Sequence, residues 1–279
     1  MRDPYKITEP TCLSFSGGRT SAYMLWRVLQ SNGGIPSDAV VCFANTGKEE
    51  EATLRFVRDC GERWNVPIVW VEFRADEPRF AVVDYATASR DGEPFEALIR
   101  KRSYLPNPVT RFCTIELKIR PMANYLHSIG MGNTKSECEN MSWIGIRADE
   151  QRRCAKIADK SRIPLAMDGV TVKTIQEFWE TQPFNLDLPT YKGRTLAGNC
   201  DLCFLKPAGQ VLSLINQKPE RATWWARMEA LALALASKPS GARFRSDRAS
   251  YAQMQQNAAN QVDAIGYDNE EGIPCFCGD

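Results

Sequence analysis

The sequence predicts an α/β fold built on a parallel sheet, and three observations carry that expectation. Short β-branched and aromatic runs alternate with amphipathic stretches through the first third of the chain. A glycine-rich turn joins the first run to the first amphipathic stretch, and beyond about Pro164 the pattern becomes mainly helical, with cysteines among the helices. Strand-helix alternation lays consecutive strands side by side in the same direction. In order, Thr11 to Ser16 reads as a strand, Thr20 to Gln30 as a helix, Ala39 to Asn45 as a strand, Glu49 to Trp64 as a helix and Ile68 to Phe73 as a strand. Gly33-Gly34-Ile35-Pro36 and Asn65-Val66-Pro67 supply turns, since Gly accepts unusual dihedrals and Pro stops a helix.

From Arg74 to Arg111 four prolines weaken the pattern around a helix near Phe95 to Lys101, which reads as an ordered insertion or lid over a site. Thr114 to Ile129 reads as a helix and Ser142 to Ile146 as a buried strand. Three more helices follow, at Lys173 to Thr181, Pro207 to Asn216 and Glu220 to Ala236, and then an irregular tail. The expected organisation is a nucleotide-binding domain over 1–163, with the insertion at 74–111, and a helical C-terminal region over 164–279. Trp224, Trp225, Met228, Leu231 and Leu235 recur at helical spacing and are assigned to core.

Composition excludes several classes. Thirty-five Lys and Arg nearly cancel thirty-four Asp and Glu, so overall charge draws the chain neither to nucleic acid nor to a membrane, and only local basic clusters such as Arg100-Lys101-Arg102 argue for phosphate contact. The longest small-apolar run, Ala230 to Ala236, is far short of the roughly 20 residues that span a bilayer. The charged start Met1-Arg2-Asp3-Pro4-Tyr5-Lys6 has no secretory core, so a cytoplasmic compartment is expected. A single histidine, His127, excludes a Cys/His finger or a Ser-His-Asp triad and reads as a structural helix residue. Ten cysteines are many for a reducing compartment and direct attention to metal or redox chemistry.

Ser16-Gly17-Gly18-Arg19-Thr20-Ser21 lies between the first strand and the first helix. Glycines let the main chain approach an anion, successive amides form a nest, and the helix N-terminus adds positive potential. Ser16, Thr20 and Ser21 add hydroxyls, and Arg19 adds charge or faces solvent. The spacing matches neither the dinucleotide fingerprint nor the Walker loop. In Trp143-Ile144-Gly145-Ile146-Arg147 an apolar strand carries an Arg fork to a sheet end, and Arg forks suit phosphate or sulfate.

Four islands resemble the phosphoadenosine phosphosulfate (PAPS) reductase family of the PP-loop ATP pyrophosphatase superfamily. They are the loop 16–21; Asn45-Thr46-Gly47 with Thr53; Cys113 to Pro121, which contains Lys118; and Gly145 to Arg153. The resemblance covers about residues 11–153 in the family's order. It implies a Rossmann-like, adenine nucleotide alpha-hydrolase-like sheet. It implies further that the first island holds pyrophosphate or phosphosulfate, that the second lies beside the adenosine, and that Arg147 and Arg153 reach the anionic substrate, with Lys118 in support. Thr20 stands where many pyrophosphatase members have Asp, and Asn45 and Ala52 where many reductases have Asp and Glu.

Cys200-Asp201-Leu202-Cys203 is a two-residue-spaced pair in a turn-like segment between Gly198 and Pro207, and Cys275-Phe276-Cys277 lies near the C-terminus. The resemblance adds Cys113 as a cluster cysteine. Cys113, Cys200 and Cys203 with one tail cysteine, Cys275 or else Cys277, would hold an iron-sulfur cluster of the 4Fe-4S type or, as the alternative, zinc, since ligand identity does not separate them; a Cys200–Cys203 disulfide and a reduced pair without metal are the other readings. With Cys275 as the ligand, Cys277 is left for sulfur chemistry, as thiolate or persulfide, and the two exchange roles if Cys277 is the ligand. Cys12, Cys42 and Cys60 are expected as buried small hydrophobes.

The expectation is an enzyme that uses an adenine nucleotide, ATP with Mg²⁺ or PAPS. It would couple ATP-dependent activation to sulfur transfer, with a sulfur donor or thiol reductant as partner and a nucleobase, nucleic-acid backbone or metabolite as acceptor. A PAPS or adenylyl-sulfate reductase releasing sulfite is the second reading, and a nucleotide-sensing or nucleic-acid-binding module the third. No membrane is expected as a partner, and a homo-oligomer is compatible with the sequence.

Overall fold

The computed structural model describes residues 3–191, 194–235 and 241–258, so Cys275 and Cys277 lie outside the described residues. The expected alternation is present as β1 (Thr11–Ser14), α1 (Arg19–Asn32), β2 (Ala39–Asn45), α2 (Glu51–Arg63) and β3 (Ile68–Phe73). β2 is buried along almost its whole length, as a strand covered on both faces must be. Next come β4 (Phe80–Val83), α3 (Glu93–Arg102) and α4 (Phe112–Thr114), which runs through a π-helical turn at Ile115–Ile119 into α5 (Arg120–Ser128). Then α6 (Lys135–Asn140) leads to β5 (Ser142–Ile144).

These strands form one sheet in the order β4-β3-β2-β1-β5. β1 pairs in parallel with both β2 and β5, and β2 with β3. β4 runs antiparallel to β3, so the wholly parallel sheet expected from sequence is corrected to a mixed one. The chain between Phe73 and Phe80 is too short for a parallel crossover, which needs a dozen or more residues, and must return antiparallel. The chain is an α/β protein with a mostly parallel sheet.

The second half is mainly helical. It contains α7 (Gln151–Cys154), α8 (Pro164–Met167), α9 (Val172–Glu180), the hairpin β6 (Thr190–Tyr191) and β7 (Arg194–Thr195), α10 (Ala208–Gln217), α11 (Arg221–Leu235) and α12 (Tyr251–Ala258). No helix among the described residues is long and apolar enough to cross a membrane.

Two large buried clusters hold the molecule together, and both draw on either side of the expected 163/164 boundary. One joins Leu13, Phe43 and Val57 to Leu165, Ile175 and Trp179. The other joins Phe73, Phe95 and Leu98 to Phe204, Trp225 and Phe244. Segment 74–111, expected as an insertion over the site, supplies β4 to the sheet edge and α3 to this second cluster. On α11, Trp224, Trp225 and Met228 are buried and Leu231 packs against the same cluster, whereas Leu235 at the helix end is 42% exposed and is not core. Cys12, Cys42 and Cys60 are fully buried, as expected, and His127 is exposed on α5.

Candidate functional site

The sheet order places a topological switch point between β1 and β5: β2 and β3 step away on one side of β1, and the chain then returns to lay β5 on the other. Open α/β sheets take ligands in the crevice beyond the carboxyl ends of the strands at such a point. A cavity of about 280 Å³ lies there, lined by Ser14, Phe15, Ser16 and Ser21 from the β1 side and by Ile144 and Gly145 from the end of β5. A Cβ on Gly145 would come within 3.1 Å of the Ser21 Cα, so this glycine lets the end of β5 close on the first turn of α1.

The glycine loop forms one rim. Gly17 has φ +77, and a Cβ there would meet the Thr53 Cγ2 at 2.6 Å, so glycine is demanded by both dihedral and space. The Ser21 hydroxyl ties the loop: it donates to the Gly18 carbonyl at 3.0 Å, accepts from the Ser16 amide at 3.1 Å and lies 2.9 Å from the Ser16 hydroxyl. No side chain caps the N-terminus of α1 and no acidic residue stands in its first turn. Its first amides therefore keep their positive potential for an anion.

Arg19 turns away from this rim. Its guanidinium donates to the Asn185 side chain at 2.7 Å, to Thr195 Oγ1 at 3.2 Å and to the Leu186 carbonyl, tying the loop to the segment that precedes and includes the small hairpin. Thr20 accepts a 3.2 Å bond from the Arg147 guanidinium, which also donates to Asp149 at 3.0 Å and is only 6% exposed. Arg147 and Thr20 border a smaller cavity of about 140 Å³ on this side of the loop. Arg153 donates to Glu150, which also accepts from the Arg147 amide at 2.9 Å. The other terminal nitrogen of Arg153 is buried with no hydrogen-bond partner among the described residues.

Lys118 lines the large cavity from the π-helical turn, together with Thr114, Ile119 and Met122. Its ammonium lies 3.8 Å from Glu49 Oε1. Glu49 is held in turn by Thr46, whose amide and hydroxyl both donate to it at 2.9 Å, and the Thr46 hydroxyl is 3.5 Å from Cys200 Sγ. A β-bridge joins Glu49 to Cys200, the Asp201 amide donates to the Lys48 carbonyl at 2.8 Å, and the Lys48 ammonium pairs with Asp201 at 3.2 Å. Burial, and then the Glu49 carboxylate, push the Cys200 thiol well up, with Lys118 acting against them.

Asn45, Thr46 and Gly47 do not line the large cavity. The fully buried Asn45 amide donates to Glu72 at 2.6 Å and to the Ser89 carbonyl at 2.9 Å, and its oxygen accepts from the Gly47 amide at 3.2 Å. This island is a braced turn, and its contact with the site runs through Thr46 and Glu49. Glu49 escapes sequence reasoning because one of three consecutive glutamates gives no signal of burial, and Glu72 because a single carboxylate inside the apolar strand Ile68–Phe73 matches no motif. Lys156 and Arg162 also line the cavity and carry no motif.

Cys113, Cys200 and Cys203 all pack, half-buried, against the second hydrophobic cluster. Among the described residues no group of three or more His, Cys, Asp or Glu side chains is arranged to hold a metal ion. Cys154 donates to the Arg147 carbonyl at 3.3 Å.

No family model and no solved structure matches the chain. It is similar to the uncharacterized nin region protein ORF290 of Escherichia phage lambda, 31% identical over 208 residues, which cover 71% of this chain and 67% of that protein. The chain belongs to the family of this phage lambda nin region protein.

Proposed function

We propose that the protein is an adenine-nucleotide-dependent enzyme of PAPS reductase type, with a Rossmann-like PP-loop fold, that activates an acceptor with ATP and couples the activation to sulfur transfer. The observation that carries this reading is the position of Lys118. Its side chain lines the cavity beside the glycine loop and meets Glu49 at 3.8 Å, and Glu49 and Thr46 lead to the Cys200 thiol. Nucleotide rim and cysteine loop are thus one polar assembly.

In this reading the nucleotide's base rests on the apolar wall of Phe15, Ile119, Met122 and Ile144, and its phosphates on the loop 16–21. Attack of an acceptor oxygen on the α-phosphorus breaks the bond to the β-phosphate and releases pyrophosphate. The first amides of α1 stabilise the departing charge, and Lys118 neutralises charge at the transferred group. Arg147 braces the loop through Thr20, and the unmet donor of Arg153 is available to an anion. Mg²⁺ would accompany ATP.

Cys113, Cys200 and Cys203 are the soft donors that would hold an iron-sulfur cluster or zinc, with Cys275 as the fourth ligand and Cys277 for sulfur; as they stand among the described residues, no three of these side chains are gathered around one metal position, so binding the group requires them to move together. Such a group would supply or relay sulfur when bound. The test is anaerobic purification with iron and sulfide analysis, followed by incubation with ATP or with phosphosulfate and thioredoxin. Stoichiometric iron with ATP-dependent pyrophosphate release supports the reading. Sulfite release from phosphosulfate assigns a reductase instead.

A further inference from the structure

The helical segment 112–128 has two working faces. Thr114, Lys118 and Met122, spaced four apart, line the cavity at the switch point, whereas Glu116, Arg120 and Asn124, also four apart, line a separate groove of about 450 Å³. Two residues of offset on a helix is roughly half a turn, so cavity and groove lie on opposite sides of the same rod. They meet at Glu139, which lines both.

The groove carries an excess of cations in a chain of net charge +1. Arg79, Lys101, Arg102, Arg120 and Lys135 line it, against the lining carboxylates Glu116 and Glu139 and the neighbouring Glu77, with which Arg79 pairs at 2.8 Å, so the cations still outnumber the carboxylates. Glu116 is nearly buried and accepts from both Arg102 and Arg120, so one carboxylate fixes two guanidiniums. Lys101 is exposed and donates to the Ala75 carbonyl at 3.0 Å, and Lys135 is exposed at the start of α6. Phe73 and Leu98 contribute an apolar floor. The run Arg100-Lys101-Arg102 is divided by this geometry: Lys101 and Arg102 face the groove, and Arg100 pairs with Glu96 at 2.6 Å outside it.

We propose that this groove binds single-stranded nucleic acid. Several cations along a concave channel match the regular charges of a phosphate backbone, and an apolar floor between them suits bases. A groove of about 450 Å³ holds one or two nucleotides of one strand at a time and does not enclose a duplex, so the rest of a bound strand runs over the rim. A phosphorylated peptide would engage one or two of the cations and leave the rest unmatched. The site needs no bound ATP, so its test is independent of the nucleotide chemistry proposed above.

The probe is a fluorescein-labelled single strand of about 12 nucleotides, a length within the range such grooves cover, titrated by anisotropy without ATP over a series of salt concentrations. Wild-type protein should bind with an affinity that falls steeply with salt. The double variant Lys101→Glu/Lys135→Glu should bind at least about tenfold more weakly, with a salt slope reduced by roughly 1.4, since each backbone phosphate neutralised on a single strand contributes roughly 0.7. Neither lysine pairs with Glu116, so the fold is retained, as a circular dichroism melt will verify. The charge-matched control Lys173→Glu/Lys218→Glu, outside the groove, should bind like wild type. The proposal is overturned if wild type does not bind at low salt, if the control weakens binding as much as the groove variant, or if a duplex or a phosphopeptide binds more tightly.

Discussion

Gly17 shows how much one position of the glycine loop is constrained. Alanine there has to adopt φ near +77 and also push its Cβ against Thr53 Cγ2 at 2.6 Å. Gly17→Ala should destabilise the fold by about 2–4 kcal/mol in urea unfolding, and adding Thr53→Ser should restore only the steric part. Glu229 gives a pH signature. Burial raises its carboxyl above the ordinary 4.5, although the Tyr251 amide donates to it at 3.0 Å. The folded state therefore holds this proton where the unfolded chain has lost it, and stability falls as pH rises from 4.5 through the raised value. Glu229→Gln keeps an acceptor for Tyr251 and should flatten that slope, as denaturation at stepped pH will show. The glycines and hydroxyls of the loop were legible in the sequence. The direction of Arg19 was not, because its partners Asn185, Leu186 and Thr195 lie more than 160 residues away.

At the scale of elements, periodicity located the principal strands and long helices to within a residue or two. It missed β4, which is short and only half-buried, the hairpin β6–β7, which is defined by pairing rather than by pattern, and α12, which lies in the stretch read as an irregular tail because its polar sequence carries only Tyr251 and Met254 into the core. It read 114–129 as one plain helix, whereas Ile115–Ile119 forms a π-helical turn, within which Lys118 faces the cavity and Glu116 the groove. The cysteine loop depends on α11. The fully buried Trp225 donates to Asp201 at 2.8 Å, Asp201 pairs with Lys48, and Trp225 stacks on Tyr251 with centroids 5.3 Å apart. Trp225→Phe retains a ring but leaves Asp201 short of a donor, and should cost about 1–3 kcal/mol in chemical denaturation.

For the whole molecule, the sequence marked a change of character near Pro164 and suggested a boundary there. The packing runs across it: Leu165, Val170, Ile175, Trp179 and Leu186 belong to the same cluster as Leu13 and Phe43, and Leu188 packs against both large clusters. Long-range packing partners leave no local trace in composition, so this continuity was invisible in the sequence. A fragment comprising residues 1–163 should therefore lack a cooperative thermal transition by circular dichroism, whereas the full chain should melt in one step. The cavity and the groove are built on opposite faces of one helical segment, and every residue lining them precedes the 163/164 boundary, so the C-terminal helices reach both sites only through the shared core.

The central claim is that the cavity between β1 and β5 is an adenine-nucleotide site in which Lys118 meets the phosphates. Equilibrium binding of ATP, competed with pyrophosphate, to wild-type protein and to Lys118→Gln tests it most directly. Pyrophosphate should displace ATP from the wild type, and the variant should bind ATP at least about tenfold more weakly, in keeping with the loss of one charge-assisted contact worth roughly 1.5–3 kcal/mol. Equal affinity in the two proteins, or ATP binding indifferent to pyrophosphate, would contradict the claim.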